Sequence, residues 1–325
     1  MGAAVKLLCA SGVLLAGALA CADGARPGAA PGSTGRTIVV AELFTSEGCS
    51  SCPPADDVLT QLLRRQPIRG VEVLALGEHV DYWDRLGWRD PFSSAAFTTR
   101  QSGYEAQVFH TGSIYTPQLV VDGQLERVGS DLDAVQRAIR RAAQAPKATL
   151  GVTISHETDA KLRVDVHVDV APDLVIHDTA DVLVAVTEDH LMTDVRRGEN
   201  RGRTLKHSAV VRSLTTVGAL RAQEHTFSTT AFVPWAMDWN SANVRVISIL
   251  QERQSRRVVG AGSGTIGESP GTRYEESSIT TEDAVVNART VRDSIVTSRL
   301  SRIPALSVLP GQIWSLGEDL NARSR

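Results

Sequence analysis

Apolar and polar positions follow two different periods along the chain, and the change of period divides it near residue 147. Over 37–146, apolar runs alternate with stretches in which apolar residues recur every three or four positions, a pattern typical of strands alternating with helices. Over 147–266 the period is two, which is typical of short antiparallel strands. We therefore predict an α/β domain over 37–146 and an all-β, sandwich-like antiparallel domain over 147–266.

Within the first domain, the pattern predicts strands at Thr37–Phe44 and Val71–Leu76 with a helix between them, apolar on one face from Ala55 to Leu63. A strand–helix–strand unit of this kind is right-handed, with its two strands parallel. Helices are also predicted over Ser93–Gln107 and Asp131–Ala143.

Cys49 and Cys52 form a CxxC motif where the first strand passes into the first helix. Free N–H groups and the positive dipole end of a helix favour a thiolate at that place. A bridge that closes so short a loop adds little chain-entropy stabilisation, which favours a redox use. We expect Cys49 to be the more exposed, attacking sulfur and Cys52 to resolve the mixed disulfide. A structural bridge that merely fixes the turn is the alternative.

Five segments carry longer motifs: VVAELFTSEGCSSCPPAD, HVDYWDRLGW, TTRQSGY, YTPQLVVDG and GENRGRTLKHSAVVR. Together, from about Thr37 to Gly262, they resemble DUF1223, a family of secreted bacterial proteins of unknown function. The resemblance implies a thioredoxin-like fold for the first domain and supplies no substrate. For Thr116-Pro117, which precedes a β-branched strand and an Asp122-Gly123 turn, it implies a cis bond that leaves the Thr116 backbone facing the sulfurs. A partner peptide could pair there.

The run from His79 to Asp84 follows the second predicted strand, at the sheet edge where the CxxC is expected. His79, Asp81 and Asp84 could tune the thiolates, relay protons or bind metal. Alternatively, Tyr82 and Trp83 pack the loop while the acids face solvent. Thiolates and imidazole suit copper, so a copper-binding module built from the two cysteines and His79 is a second hypothesis. No other cofactor is expected.

Glu42 is a carboxylate in an otherwise apolar strand. It resembles the buried proton acceptor beneath the redox pair of thioredoxins, although its offset from the first cysteine is one residue longer. One residue turns a strand side chain to the other face, unless a turn insertion absorbs the difference. Further along, the charged turn Gly198–Arg203 is predicted to be a solvated hairpin loop, with contact to an anion or to the first domain as the alternative.

Residues 1–20 predict a secretory signal peptide, with Lys6 followed by an apolar run that ends in a small-residue cleavage pattern. Cys21 follows directly, and we expect either a diacylglycerol anchor on it or an ordinary signal peptide, since Ala18 stands where lipoprotein signals have leucine. Residues 21–36 are rich in Gly, Ala and Pro, typical of a flexible linker. Residues 267–325 form a polar tail, predicted as one helix or as disorder.

A formal net charge of −3 gives no basic footprint for nucleic acid. The sequence thus predicts an exported, periplasmic protein that contacts the membrane only if Cys21 carries the lipid anchor. Its expected partners are protein thiols and disulfides of the cell envelope, as a thiol–disulfide oxidoreductase. Besides the copper module, a non-catalytic binding protein with a structural disulfide is the remaining alternative.

Overall fold

The largest element of the fold is an eleven-stranded mixed β-sheet. The computed structural model describes residues 35–266 of the chain. The signal peptide, Cys21, nearly all of the linker and the polar tail lie outside the described residues, so the expectations for them stay predictions.

Three α-helices and thirteen strands occur within residues 35–266. The first part contains, in chain order, β1 (Thr37–Thr45), α1 (Pro53–Arg65), β2 (Val71–His79), α2 (Ala95–Tyr104), β3 (Gln118–Val121), β4 (Leu125–Val128) and α3 (Leu132–Ala142). The second part contains β5 (Ala148–Thr158), β6 (Lys161–Asp169), β7 (Ala180–Glu188), β8 (Leu191–Asp194), β9 (Thr204–His207), β10 (Val210–Leu220), β11 (Thr226–Pro234), β12 (Val244–Glu252) and β13 (Val258–Thr265).

The strand order in the sheet is β11-β6-β5-β13-β12-β7-β10-β2-β1-β3-β4, and β8 and β9 form a separate two-stranded ribbon. β1 pairs in parallel with β2 and antiparallel with β3. Because β1 and β2 are parallel, both end at the same edge of the sheet, as predicted. The loop with the two cysteines and the loop after His79 therefore leave the sheet side by side.

The predicted fold class, a thioredoxin-like α/β domain followed by a separate β-sandwich, is wrong. β2 and β10 join the strands of both parts into one sheet: Val210 pairs with Gly77, and the Gly77 N–H donates to the Ala209 carbonyl at 2.7 Å. The period of a strand tells which side chains share a face, but not which strand lies beside it. The pattern therefore located the strands without showing that they continue one sheet.

The two parts of the chain also share a hydrophobic core around α2. Val40 and Phe44 of β1, Tyr104 of α2 and Ile249 of β12 belong to one cluster of buried side chains. The opposite face of β1, which includes Leu43, packs against α1 and α3. Consequently α2 packs against strands from both parts on one face of the sheet, whereas α1 and α3 cover the other face.

The β3–β4 turn fits directly against the β12–β13 turn. Gly123 has φ +69°, and a Cβ at this position would lie 1.9 Å from the carbonyl oxygen of Arg256, so only glycine fits. The neighbouring Asp122 carbonyl accepts a hydrogen bond from the Val258 N–H at 3.0 Å, and its carboxylate accepts one from Lys147 at 2.7 Å. These contacts lock the two parts together a second time.

Candidate functional site

The CxxC forms a disulfide at the start of α1. Cys49 and Cys52 are bonded, with their Cα atoms 5.4 Å apart, and Cys52 is the N-cap residue of α1. Both side chains are completely buried, while Ser50 and Ser51 between them are exposed. The expectation that Cys49 would be the more exposed sulfur is therefore wrong, because the surrounding loops cover both sulfurs equally.

Trp83 links the CxxC loop to the cis-proline. Its indole N–H donates to Thr116 Oγ1 at 2.8 Å, and its Cβ would lie 3.2 Å from a Cβ placed on Gly48. The Thr116–Pro117 bond is cis, which confirms that prediction. A Cβ on Gly129 would lie between Pro117 and Ala55 of the first α1 turn, at 3.5 and 3.0 Å. Thr116, Pro117 and Trp83 are thus gathered around the disulfide loop.

Asp81 and Asp84 order the segment that follows β2. The Asp81 carboxylate accepts a hydrogen bond from Thr98 Oγ1 at 2.5 Å. The Asp84 carboxylate accepts from the backbone N–H of Asp90 at 3.2 Å and from Ser93 Oγ at 2.8 Å. Their local partners make both residues loop-ordering groups, and no hydrogen bond within residues 35–266 joins either of them to a cysteine.

His79 is buried and faces the interior behind the CxxC loop. Its Nδ1 lies 2.7 Å from Asp90 Oδ2, an oxygen that also accepts the backbone N–H of Glu47 at 2.8 Å. The His79 ring packs edge-on against the ring of His207, with centroids 4.9 Å apart. Sequence reasoning placed His79 near the site but missed His207, which β9 brings in from the second part of the chain.

His207 connects two further buried acids. Its Nε2 lies 3.1 Å from Glu47 Oε1, and its Nδ1 lies 3.8 Å from Asp56 Oδ2. Asp56 also accepts a hydrogen bond from Thr45 Oγ1 at 2.9 Å, and Glu47 accepts one from the Trp88 indole at 2.7 Å.

Five buried titratable residues therefore lie behind the disulfide loop, and we call them the acid–imidazole cluster: Glu47, Asp56, His79, Asp90 and His207. The sequence signal for Glu47 and Asp56 is their spacing, since each lies within four residues of a cysteine.

The two aspartates of the cluster titrate in opposite directions. Burial raises the pKa of Asp56 to about 7, against the smaller opposing effects of His207 and the Thr45 hydrogen bond. Burial acts on Asp90 in the same sense, but the charge and hydrogen bond of His79, with backbone N–H donors, hold its pKa below the ordinary value. Asp56 thus exchanges its proton near neutral pH, one helical turn after Cys52.

The charged turn Gly198–Arg203 lies against the CxxC loop. Asn200 is buried, and its side-chain nitrogen donates to the carbonyl oxygens of Glu47 at 2.8 Å and Cys49 at 2.9 Å. Glu199 accepts the backbone N–H of Ser50 at 3.0 Å. The turn is a hairpin loop between β8 and β9 with every residue except Asn200 exposed, as predicted, and Asn200 and Glu199 also make the alternative contact with the first part of the chain. We call residues 196–203 the clamp loop.

Glu42 lies on the other face of the sheet from α1. Its carboxylate accepts hydrogen bonds from Arg100 Nε at 2.6 Å and Tyr104 Oη at 2.5 Å, both on α2. Burial would raise the pKa of Glu42, but Arg100 and Tyr104 hold it below the ordinary value. Burial and the neighbouring Glu42 charge raise the pKa of Glu78 well above its usual range, so this pair carries one proton. The extra residue before Cys49 turned Glu42 away from the disulfide.

The copper hypothesis finds no matching donor set in the described part of the chain. Within residues 35–266, no three His, Cys, Asp or Glu side chains are arranged to hold a metal ion. His79 directs its Nδ1 to Asp90 and its ring to His207. The cysteines and His79 therefore do not converge as one ligand set.

Two solved structures show where similar folds occur. An X-ray structure of a protein from Agrobacterium tumefaciens is 27% identical to this chain, covering 73% of this chain and 97% of its own, with a TM-score of 0.51. HBP35 of Porphyromonas gingivalis is 14% identical, covering 75% and 80%, with a TM-score of 0.56, and shows similarity of fold alone. Among curated proteins there is no match.

No helix within residues 35–266 has both the length and the apolar character needed to cross a membrane. The family model described as "Protein of unknown function (DUF1223)" matches residues 40–251. This stretch contains the disulfide, the cis-proline and the clamp loop, and it confirms the resemblance in the motifs. The chain belongs to the DUF1223 family.

Proposed function

We propose that this chain is an exported thiol–disulfide oxidoreductase that acts through Cys49 and Cys52. One observation carries the proposal: Asp56, whose pKa is raised to about 7, lies one helical turn beyond Cys52 and in contact with His207. A crosslink that only fixes a turn has no need of a buried group able to exchange a proton. A buried sulfur that alternates between disulfide and thiol does need one.

In the direction that oxidises a partner, a partner thiolate attacks Cys49, the Cys49–Cys52 bond breaks, and Cys52 leaves as a thiolate. Asp56 donates its proton to that thiolate, directly or through His207. The second partner thiolate then attacks the partner sulfur of the mixed disulfide and releases Cys49, which takes up a proton. Two electrons and two protons move from the partner dithiol to the cysteine pair, and the reverse sequence reduces a partner disulfide.

Both sulfurs are buried, so exchange requires a local opening. Cys49 Sγ lies 3.3 Å from Oγ of the exposed Ser51, and the clamp loop is attached at this point through Asn200 and Glu199. Movement of the clamp loop therefore precedes attack. Export through the signal peptide, with or without the lipid anchor on Cys21, brings the pair to a compartment where protein thiols and disulfides are the substrates.

Trapping of the mixed disulfide tests this function. Cys52→Ser lacks the resolving thiol, so in the exporting cell it should accumulate adducts on Cys49 that disappear with reductant on a non-reducing gel. Cys49→Ser is the matched control and should accumulate none, since Cys49 is the sulfur that contacts the exposed Ser51, with Sγ and Oγ 3.3 Å apart. If the two variants behave alike and trap no partner, the oxidoreductase proposal fails, and a binding protein with a structural disulfide takes its place.

A further inference from the structure

A second site lies on the far side of Phe92 from the disulfide. A cleft of about 370 Å³ opens between the segment 91–97, which includes the first turn of α2, and strand β10. Arg212 and Ser213 of β10 line it together with Phe92, and Trp239 lines it from the second part of the chain. The acid–imidazole cluster and the clamp loop do not line this cleft, so it is separate from the site described above.

Arg212 makes cation–π contacts with two aromatic rings. Its guanidinium carbon lies 5.4 Å from the ring centre of Phe92 and 5.1 Å from that of Trp239. Only 21% of its side chain is exposed, and its Nε lies 3.6 Å from Glu188 Oε2. Within residues 35–266, neither terminal nitrogen of Arg212 has a hydrogen-bond acceptor. The two ring contacts restrict the guanidinium and leave its terminal donors unused.

The backbone at this point directs the side chains into the cleft. The β10–β7 pairing shifts register between Val211 and Ser213, so Arg212 is the extra residue of a β-bulge. Bulges re-aim side chains and are frequent next to binding sites. Ser213 Oγ is buried and has no hydrogen-bond partner within the described residues. A guanidinium edge and a hydroxyl, both unpaired, thus lie at neighbouring positions.

We propose that this cleft binds a small organic carboxylate with an apolar body. A carboxylate matches the guanidinium edge with two parallel hydrogen bonds, and Ser213 Oγ can donate a third. Phe97 and Leu214 supply apolar wall. Glu188 neutralises part of the Arg212 charge, which favours a monoanion over a doubly charged phosphate. The proposal does not depend on the redox function of the cysteines.

Phenylpropanoate is a suitable probe because it joins a carboxylate to an aromatic body, and phenylpropanol is its neutral counterpart. Titration calorimetry on the folded, disulfide-intact chain should give a dissociation constant of about 1 mM or tighter for the acid. Arg212→Gln should weaken binding at least about tenfold, in line with the loss of a charge-assisted bidentate pair. Arg221→Gln is the control, since Arg221 follows the same strand but is 84% exposed and pairs with Glu224.

Arg212→Lys keeps the charge without the planar fork, and it should bind more weakly than wild type. If Arg212→Gln does not fold, this variant tests the proposal in its place. Loss of binding in the Arg212 variants, with Arg221→Gln and the alcohol as contrasts, supports the proposal. Equal affinity for the alcohol, unchanged binding in both Arg212 variants, or no saturable binding of the acid to wild type would each overturn it.

Discussion

His207 Nε2 lies 3.1 Å from Glu47 Oε1, although the two residues are 160 positions apart in the chain. The β8–β9 ribbon therefore touches the disulfide loop twice, with His207 at its base and Asn200 at its tip. Access to the disulfide and the electrostatics behind it depend on the same hairpin. A change at either contact should alter how the cysteines react.

Asn200→Ala should make the disulfide easier to reduce. The substitution removes the two hydrogen bonds to the carbonyl oxygens of Glu47 and Cys49, which hold the clamp loop in place. Each bond contributes on the order of 1 kcal/mol, so loss of both should raise the population of the opened state about thirtyfold. The rate of reduction by a small dithiol, followed by mass spectrometry of the alkylated protein, measures this.

Arg201→Ala is the matched control for that experiment, because Arg201 is the exposed neighbour of Asn200 in the same loop. It should reduce at the wild-type rate. Equal rates for all three proteins would show that the clamp loop does not limit access to the sulfurs.

Asp56→Asn should remove a pH dependence of stability. The pKa of Asp56 is about 7 in the folded chain against an ordinary value of 3.8. Below about pH 4 the carboxyl is protonated in both the folded and the unfolded chain, so it does not lower the free energy of unfolding there. As the pH rises from about 4 to 7, wild type loses stability relative to the variant, by at most about 4 kcal/mol, and the difference is constant above that window.

Urea unfolding of wild type and Asp56→Asn at several pH values measures this difference. Asp57→Asn provides the control, since Asp57 is the exposed neighbour on α1. In a second variant, His207→Gln, the loss of stability should have its midpoint at a higher pH than in wild type, because the His207 charge lowers the pKa of Asp56. A difference between wild type and Asp56→Asn that does not change with pH would contradict the assignment of Asp56 as the proton-exchanging group.

The part of the site built from local pattern was predictable. The apolar strand, the CxxC and the helical spacing after it placed the cysteines at the start of α1, whereas the cis bond of Thr116-Pro117 beside the disulfide was expected only through the family resemblance. Glu47 and Asp56 were visible in sequence but carried no signal of their partner, because a contact with His207 depends on how a distant ribbon folds back. Local periodicity contains no information about such a contact.

The continuity of the sheet was not predictable for a related reason. The alternation of apolar and polar residues in a strand such as β10 is the same whether its neighbour is another β-sandwich strand or β2. Likewise, Ile249 is an apolar inward position in either arrangement, and only the structure shows that it packs beside Tyr104. The sequence predicted where strands begin and end more reliably than which strands meet.

Glu42→Gln should leave the redox chemistry unchanged, while Arg100→Met should destabilise the fold. Glu42 and Arg100 form a buried pair on the α2 face, so removal of Arg100 leaves an uncompensated charge at a cost of about 3–5 kcal/mol. Glu42→Gln removes that charge and costs less, since Arg100 still has Glu78 at 3.5 Å. Urea unfolding and the rate of disulfide reduction are the two measurements. If the disulfide of Glu42→Gln were reduced more slowly or faster than that of wild type, Glu42 would have to be counted as part of the redox site.

The shared sheet and core predict that residues 37–266 unfold as one cooperative unit. Ile249→Ala, in β12, removes a fully buried side chain that packs in the cluster with Val40 and Tyr104, and it should cost about 2–5 kcal/mol. Because that cluster joins both parts, amide hydrogen exchange should accelerate in β1 and β2 as much as in β7 and β12. Amide exchange in Leu162→Ala is the comparison, because the Leu162 side chain is buried in a separate cluster of the second part. Urea transitions that separate by probe, or an Ile249→Ala effect confined to the second part, would mean that the two parts are stable independently.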